Sequence, residues 1–481
     1  MKTVNNYFAK TLLTLILATI SFFIFKEFLP NKLFPTPKGV SHNVVVDSLL
    51  LEAVASADTT SVIIEEKEKI AFEPKNGLVF PAETFEKYNG YQYLIDFFEK
   101  LYQLETAKKG KVRIAYFSDS MTDGDMIVQD LRTILQDKFG GEGVGFVNIT
   151  SESASSRSSL KHEFSGNWKT QSYLKTKQPR NPFGVNGHVF YANDSLPFSW
   201  VSYKASKMRH ISTLPEPTLF YGFSKNENGK VFKIVNEDTI EVALRPNSKL
   251  NELKLGDRAN SLKLYFKDAD SIPIYGFNFD DGKGVHVDNF SSRGNSGLPL
   301  SMFNVATMKE FQEKLGYDLI ILHYGTNVLN YGTLNYSWYE NRMNKVVTHI
   351  KDCFPGAEVL VISTADKATK YDLEMKTDSA VAPLIYAQKK YAVTSKAGFV
   401  NLYERMGGEG SMIKWVEEVP SRANKDYTHF NYRGSKDIAK LIYSQIEEGY
   451  QEYKILRKKK PIVQKKKRDS IVKKGDSIYA N

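Results

Sequence analysis

Residues 117–125 read Phe117-Ser118-Asp119-Ser120-Met121-Thr122-Asp123-Gly124-Asp125, and the segments on either side of them decide the fold. Residues 111–117 (KVRIAYF) form a β-branched and aromatic run typical of a buried strand. Residues 125–138 (DMIVQDLRTILQDK) return to helical periodicity, with Ile127, Leu131, Ile134 and Leu135 on one side. The unit is therefore strand, loop, helix. In open α/β sheets ligands sit beyond the carboxyl ends of the strands. Ser120 in this loop has its hydroxyl at the mouth of the sheet, with backbone N–H groups nearby for an oxyanion. The same residue types also serve as an ordinary helix N-cap, so the segment alone leaves both readings open.

The rhythm continues on both sides. Residues 91–104 have helical spacing, 317–324 (YDLIILHY) read as a strand, 338–351 as a helix and 358–363 (EVLVIS) as a strand. Residues 380–397 follow as a helix, 399–403 as a strand and 435–453 as a closing amphipathic helix. Strands alternating with helices imply a parallel sheet in a three-layer α/β fold. Between about 140 and 289 the texture changes to short alternating runs, at 188–191, 198–203, 239–244, 262–266 and 285–287, separated by Asn, Asp, Gly and Pro. Such runs predict a β-sandwich inserted into the first domain.

A serine nucleophile needs a base. Asp426-Tyr427-Thr428-His429, just before the closing helix, offers an imidazole to take the proton and a carboxylate three residues earlier to hold its tautomer. By itself this spacing also suits a surface loop. Gly325-Thr326-Asn327 follows the strand ending in His323-Tyr324, where an amide can donate to a developing oxyanion or simply complete a turn. Ser292-Arg293-Gly294-Asn295-Ser296-Gly297 is another glycine-rich turn able to supply a backbone donor.

Together these four segments resemble the SGNH (GDSL-type) hydrolase family over roughly residues 88–450, excluding the insert. The resemblance implies Ser120 as nucleophile, His429 as base and Asp426 as its orienting partner. It also implies the Ser120 N–H, the Gly297 N–H and the Asn327 amide as the oxyanion hole. Two positions depart from the family pattern: Ser118 replaces the glycine of Gly-Asp-Ser, and Val328 replaces the aspartate that often follows G-x-N. The placement of the insert is similar to that in envelope members that remove acetyl groups from cell-wall polysaccharides. Its aromatics (Trp168, Tyr173, Phe190, Tyr191, Phe198, Trp200, Tyr203) suit a carbohydrate-binding module or a sandwich core. Eight histidines occur without a paired ligand spacing, so no metal and no cofactor are expected.

Composition bounds the rest. At 481 residues, 42% hydrophobic and 25% charged, the chain is in the globular range. Of the 65 basic residues eleven lie from Lys454 onward, which leaves the body nearly neutral. The net charge of +10 therefore belongs to a tail, and no nucleic-acid partner is expected. Cys353 is the only cysteine, so no intrachain disulfide forms. Residues 11–25 are an uncharged apolar run with no small-residue cleavage site after it, which predicts an uncleaved signal anchor in a membrane.

The expected organisation is an anchor over 1–29, a linker over 30–87, a hydrolase-like domain over 88–140 and 288–453, an inserted β-sandwich over 141–287 and a basic tail over 454–481. The expected function is a serine esterase facing the periplasm or cell exterior that removes acetyl groups from an envelope or extracellular glycan through an acyl-serine. A glycan O-acetyltransferase and a non-catalytic glycan-binding protein use the same features. The sequence leaves the oligomeric state open.

Overall fold

The computed structural model describes residues 7–25, 47–56, 69–235, 238–329 and 334–459, and the chain divides into two units, Met1–Val45 and Val46–Asn481. In the first, helix α1 spans Tyr7–Phe25. Its 19 residues measure about 28 Å at ~1.5 Å per residue. Lys10 cuts the uncharged run to the 15 residues from Thr11, about 22 Å against a hydrocarbon core of ~30 Å. Among the described residues no helix is long and apolar enough to cross a membrane. Helix α1 covers the apolar run of the expected anchor, and the residues on either side of it, 1–6 and 26–46, lie outside the described residues.

The second unit is built on five parallel strands: β1 (Lys111–Ser118), β2 (Gly284–Ser291), β3 (Leu319–His323), β4 (Glu358–Ile362) and β5 (Gly398–Val400). They are ordered β2-β1-β3-β4-β5. β3 and β4 are buried along their whole length, as expected of strands covered on both faces. Alternate residues of β1 enter opposite cores. Val112, Ile114 and Tyr116 pack with helices α3 (Ile95–Ala107), α4 (Val128–Phe139) and α10 (Tyr432–Lys459). Ala115 and Phe117 pack with α5 (Val305–Leu315), α6 (Ser337–Cys353) and α7 (Val381–Thr394). Two short helices, α8 (Leu402–Met406) and α9 (Ser411–Glu417), precede the loop that carries His429.

β2 differs from the sequence reading, which put 285–287 in the insert. It pairs with β1 from Gly284↔Lys111 to Ser291↔Ser118 and belongs to the parallel sheet. Its alternating polar residues do not face water. His286 and Asp288 are buried, and Asp288 accepts from Arg113 Nε (2.8 Å) and Nη2 (2.9 Å) and from the Tyr317 hydroxyl (2.7 Å).

Between β1 and β2 the chain forms a six-stranded and a five-stranded antiparallel sheet. One runs Leu250–Lys254, Thr218–Gly222, Ile274–Phe279, His188–Tyr191, Lys169–Ser172, with Gly145–Val147 also on Ile274–Phe279. The other runs Asp238–Ala243, Lys230–Val235, Ser261–Lys267, Trp200–Ala205, Leu160–Phe164. Leu219, Phe277 and Phe279 of the first share one buried cluster with Val201, Tyr203, Leu264 and Phe266 of the second. The first sheet is covered on its other face too: Phe146 lies 5.9 Å from Phe290 of β2, and Phe220 and Tyr275 lie 6.0 and 5.5 Å from Phe311 of α5. Of the insert aromatics, Trp168, Tyr173, Phe190, Tyr191 and Tyr203 are buried, while Phe198 and Trp200 are half-buried.

Part of the expected linker is structured. Helix α2 (Ser48–Ala55) buries Leu50 and Ala53, and Leu78 and Phe80 are buried against α3. Residues 30–46 and 57–68 of that segment, and the tail beyond Lys459, lie outside the described residues.

Candidate active site

β1 ends at Ser118, and the next two residues turn out of the sheet. Asp119 Oδ1 accepts the Met121 N–H (2.9 Å) and starts a tight turn, Ser120–Asp125, that leaves Ser120 half-buried at the carboxyl end of the strand. The loss of glycine at 118 has no backbone cost, because Ser118 is an extended strand residue paired with Ser291 and His323. Val328, the other departure, is buried in the core. The far end of the turn is fixed by Asp125, whose two oxygens take a bidentate pair from Arg132 of α4 (2.9 and 3.1 Å). Asp125 also accepts from Ser159 (2.5 Å) and Arg157 (3.3 Å) of the insert. Burial opposes its ionisation, but the two arginines hold Asp125 well below the usual carboxylate range.

The loop before α10 faces this turn. Ser120 Oγ lies 2.9 Å from His429 Nε2, and His429 Nδ1 lies 2.8 Å from Asp426 Oδ2. The other Asp426 oxygen accepts the N–H groups of Thr428 and His429, each at 3.0 Å. Partial burial opposes its ionisation, yet the hydrogen bonds from His429 and Thr428 bring Asp426 down to about 2. It is a pure acceptor at neutral pH, so Nδ1 carries the proton and Nε2 presents its lone pair to the Ser120 hydroxyl. The hydrogen bond to Asp426 raises the His429 pKa, against burial.

The glycine turn and the G-x-N turn complete the cluster. Gly297 has φ +90°, and a Cβ there would stand 2.8 Å from Tyr324 Cδ2, so glycine is required. Its N–H donates to Asn295 Oδ1 (2.9 Å). Asn327 Nδ2 donates to Asp119 Oδ2 (3.2 Å) and to the Asn295 carbonyl (3.0 Å). Of the three expected oxyanion donors, Asn327 thus lies against the serine turn, and it and the Gly297 N–H are satisfied within the protein. Asp119 is fully buried, and burial raises its pKa to about 6, opposed by the Met121 N–H, the His429 charge and Asn327.

Several residues around the site escaped the sequence reading. Asn295 is fully buried and donates through Nδ2 to Tyr173 (3.0 Å) and Tyr324 (3.4 Å). Its position two residues before Gly297 is the Asx-turn signal that marks it. Tyr173 comes from the insert, and no spacing in the sequence connects it to this turn. His323 is no rival base: it is buried, its Nδ1 lies 2.8 Å from the Tyr116 hydroxyl, and burial lowers its pKa to about 4. Among the described residues no group of three or more His, Cys, Asp or Glu side chains is placed to hold a metal.

The exposed rim is polar. Arg293 is exposed and pairs with Asp123 across the two turns. The exposed Tyr432 donates its hydroxyl to the Ser156 carbonyl of the insert (2.7 Å).

No protein-family model matches the sequence, and no curated protein matches it. Among solved structures, a peptidoglycan O-acetylesterase aligns at 21% identity over 74% of this chain and 96% of its own, with a TM-score of 0.61. A family two carbohydrate esterase from Cellvibrio japonicus aligns at 8% identity over 61% of this chain and 98% of its own, with a TM-score of 0.25. The acetylxylan esterase Axe2 from Geobacillus stearothermophilus aligns at 16% identity over 34% and 73%, with a TM-score of 0.26. The first, which spans nearly all of its partner, shows the fold that the two share: the chain has an SGNH-hydrolase fold.

Proposed function

We propose that this chain is a serine esterase that releases acetyl groups from an O-acetylated glycan of the cell envelope or exterior. The carrying observation is the relay Ser120 Oγ to His429 Nε2 (2.9 Å) and His429 Nδ1 to Asp426 Oδ2 (2.8 Å) at the mouth of the sheet. In this reading Ser120 Oγ attacks the ester carbonyl while its proton passes to His429 Nε2. Asp426 stabilises the imidazolium. The oxyanion takes hydrogen bonds from the Ser120 N–H, the Gly297 N–H and the Asn327 amide, displacing the internal acceptors of the last two. His429 returns the proton to the departing sugar oxygen, leaving acetyl-Ser120. Water then attacks with His429 again as base, acetate leaves and the serine is restored.

The fold it shares with a peptidoglycan O-acetylesterase supports a glycan ester. So does the rim, where Arg293, Asp123 and Tyr432 offer hydrogen bonds to hydroxyl-rich substrate. A lipase gains ~0.8 kcal/mol per buried CH₂ and needs a long apolar groove, whereas Arg293, Asp123 and Tyr432 of the described rim are polar. The test is acetate release from O-acetylated polysaccharides, compared between the wild-type protein and Ser120→Ala, together with a 4-nitrophenyl ester series. Release that requires Ser120 and kcat/KM falling from acetate through butyrate to octanoate are expected. A profile rising toward octanoate, or no difference between the two proteins, would defeat the reading.

A further inference from the structure

Resting on the esterase reading, we propose that Asp47 is a positioning residue for the oxyanion turn, acting through Ser296. Asp47 lies outside all four motifs and 249 residues before Ser296, yet its side chain is buried in that turn. Its two oxygens have separate tasks. Oδ1 accepts the N–H groups of Leu49 (3.0 Å) and Leu50 (3.2 Å), which caps α2. Oδ2 accepts the Ser296 N–H (3.1 Å) and the Ser296 hydroxyl.

A cap alone accounts for only half of this arrangement. An N-cap needs one side-chain acceptor at the helix end and does not require a second carboxylate oxygen to be withdrawn from water, which costs free energy unless donors replace the water. Here four donors do so, and two of them belong to the turn rather than to the helix. Burial still pushes the Asp47 carboxyl upward, against the hydrogen bonds from Ser296, Leu50 and Leu49. An eight-residue helix has no stability by itself, so α2 is held in place by packing, through Leu50 and Ala53.

The effect on the donor follows from peptide geometry. Every polar atom of Ser296 is engaged: N–H and hydroxyl on Asp47, Oγ as acceptor for the Leu298 N–H (3.2 Å), and C=O as acceptor for the Tyr339 hydroxyl (2.7 Å). The peptide joining Ser296 to Gly297 is trans and planar, so its N–H points opposite to its C=O. Tyr339 fixes one end of that plane. Asp47 fixes the atoms before it, and the Gly297 N–H is thereby aimed. Without Asp47, two buried donors of Ser296 lose their acceptor, and the turn relaxes to recover partners. A displacement of about 1 Å at such a donor costs on the order of 10²-fold in rate.

Asp47→Asn in the full-length protein separates the two tasks, because Asn and Asp rank equally as N-caps while the Asn amide meets the Ser296 donors with a donor of its own. With 4-nitrophenyl acetate as probe, kcat is expected to fall on the order of 10- to 100-fold with KM within about threefold, in protein that circular dichroism shows to be folded at the assay temperature. Ser296→Ala, which leaves the helix cap untouched, should lower kcat in the same way, and it decides the matter if Asp47→Asn does not fold. Wild-type kcat in a folded Asp47→Asn, or in Ser296→Ala, would overturn the role while leaving the esterase reading intact. A wild-type protein no more active than Ser120→Ala would remove the esterase reading and this role together.

Discussion

The Gly297 N–H donates to the side-chain oxygen of Asn295, two residues earlier, over 2.9 Å. The donor that the proposed chemistry aims at substrate is thus held by a side chain that is itself fully buried and bonded to Tyr173 and Tyr324. The acceptor keeps the N–H oriented until a stronger, charged acceptor replaces it. Asn295→Asp preserves the acceptor and the shape while placing a negative charge beside the developing oxyanion. The variant is expected to fold, its two tyrosine partners turning to donate, and to lose kcat on the order of 10²-fold. Steady-state kinetics with a circular-dichroism control would check this.

Ser120 and His429 act as one unit through their 2.9 Å contact. Ser120→Ala and His429→Ala should each remove most turnover of an activated acetyl ester, and the double variant should be little worse than either. Multiplying losses in the double variant would show that the two residues contribute independently.

The pH profile should carry the signature of the Asp426–His429 pair. His429 must be neutral to accept a proton, and its hydrogen bond to Asp426 raises its pKa above the ordinary 6.5. Activity is therefore expected to fall as pH drops through a midpoint above 6.5. Asp426→Asn removes the charge and frees the tautomer, so the acid limb should move to lower pH and the plateau should drop, on the order of 10²-fold or more. An acid limb that stays in place in Asp426→Asn would dissociate it from His429.

Arg113 of β1 is completely buried and joins the two lobes. It takes both oxygens of Asp288 on β2, Asn278 (2.6 Å) and Asp280 from the insert. Arg113→Met leaves two buried carboxylates without their cation and should destabilise the protein by about 3–5 kcal/mol, read from urea unfolding. A change under ~1 kcal/mol would mean that water reaches the pair.

The parallel sheet was legible because its central strands carry unbroken apolar runs, 319–322 and 359–362, between helical segments. β2 was misread for a physical reason. His286 and Asp288 alternate with Val285 and Val287 as on a half-exposed strand, yet the polar face is buried, and Arg113 and Tyr317 compensate Asp288 there. The same inversion affects the turns, where Ser118, Thr122, Asn295 and Ser296 have the composition of a solvated rim and are all buried. The meeting of Ser120, His429 and Asp426 was legible from the order and sheet positions of the motifs. Asp47 and Tyr173 were not, since each reaches the site across more than a hundred residues and local periodicity carries no trace of such a contact.

The insert sheet through Phe277 is covered on one face by the second insert sheet and on the other by Phe290 and Phe311. Among the described residues the insert and the parallel-sheet body therefore share one buried cluster. The insert and the parallel-sheet body are thus coupled through packed side chains, so a change of volume on one side of the boundary is felt on the other. Loss of volume at Phe146, Phe220 or Tyr275 should accordingly be offset by added volume at Phe290 or Phe311, so that paired substitutions across the boundary are less costly than the sum of the single ones.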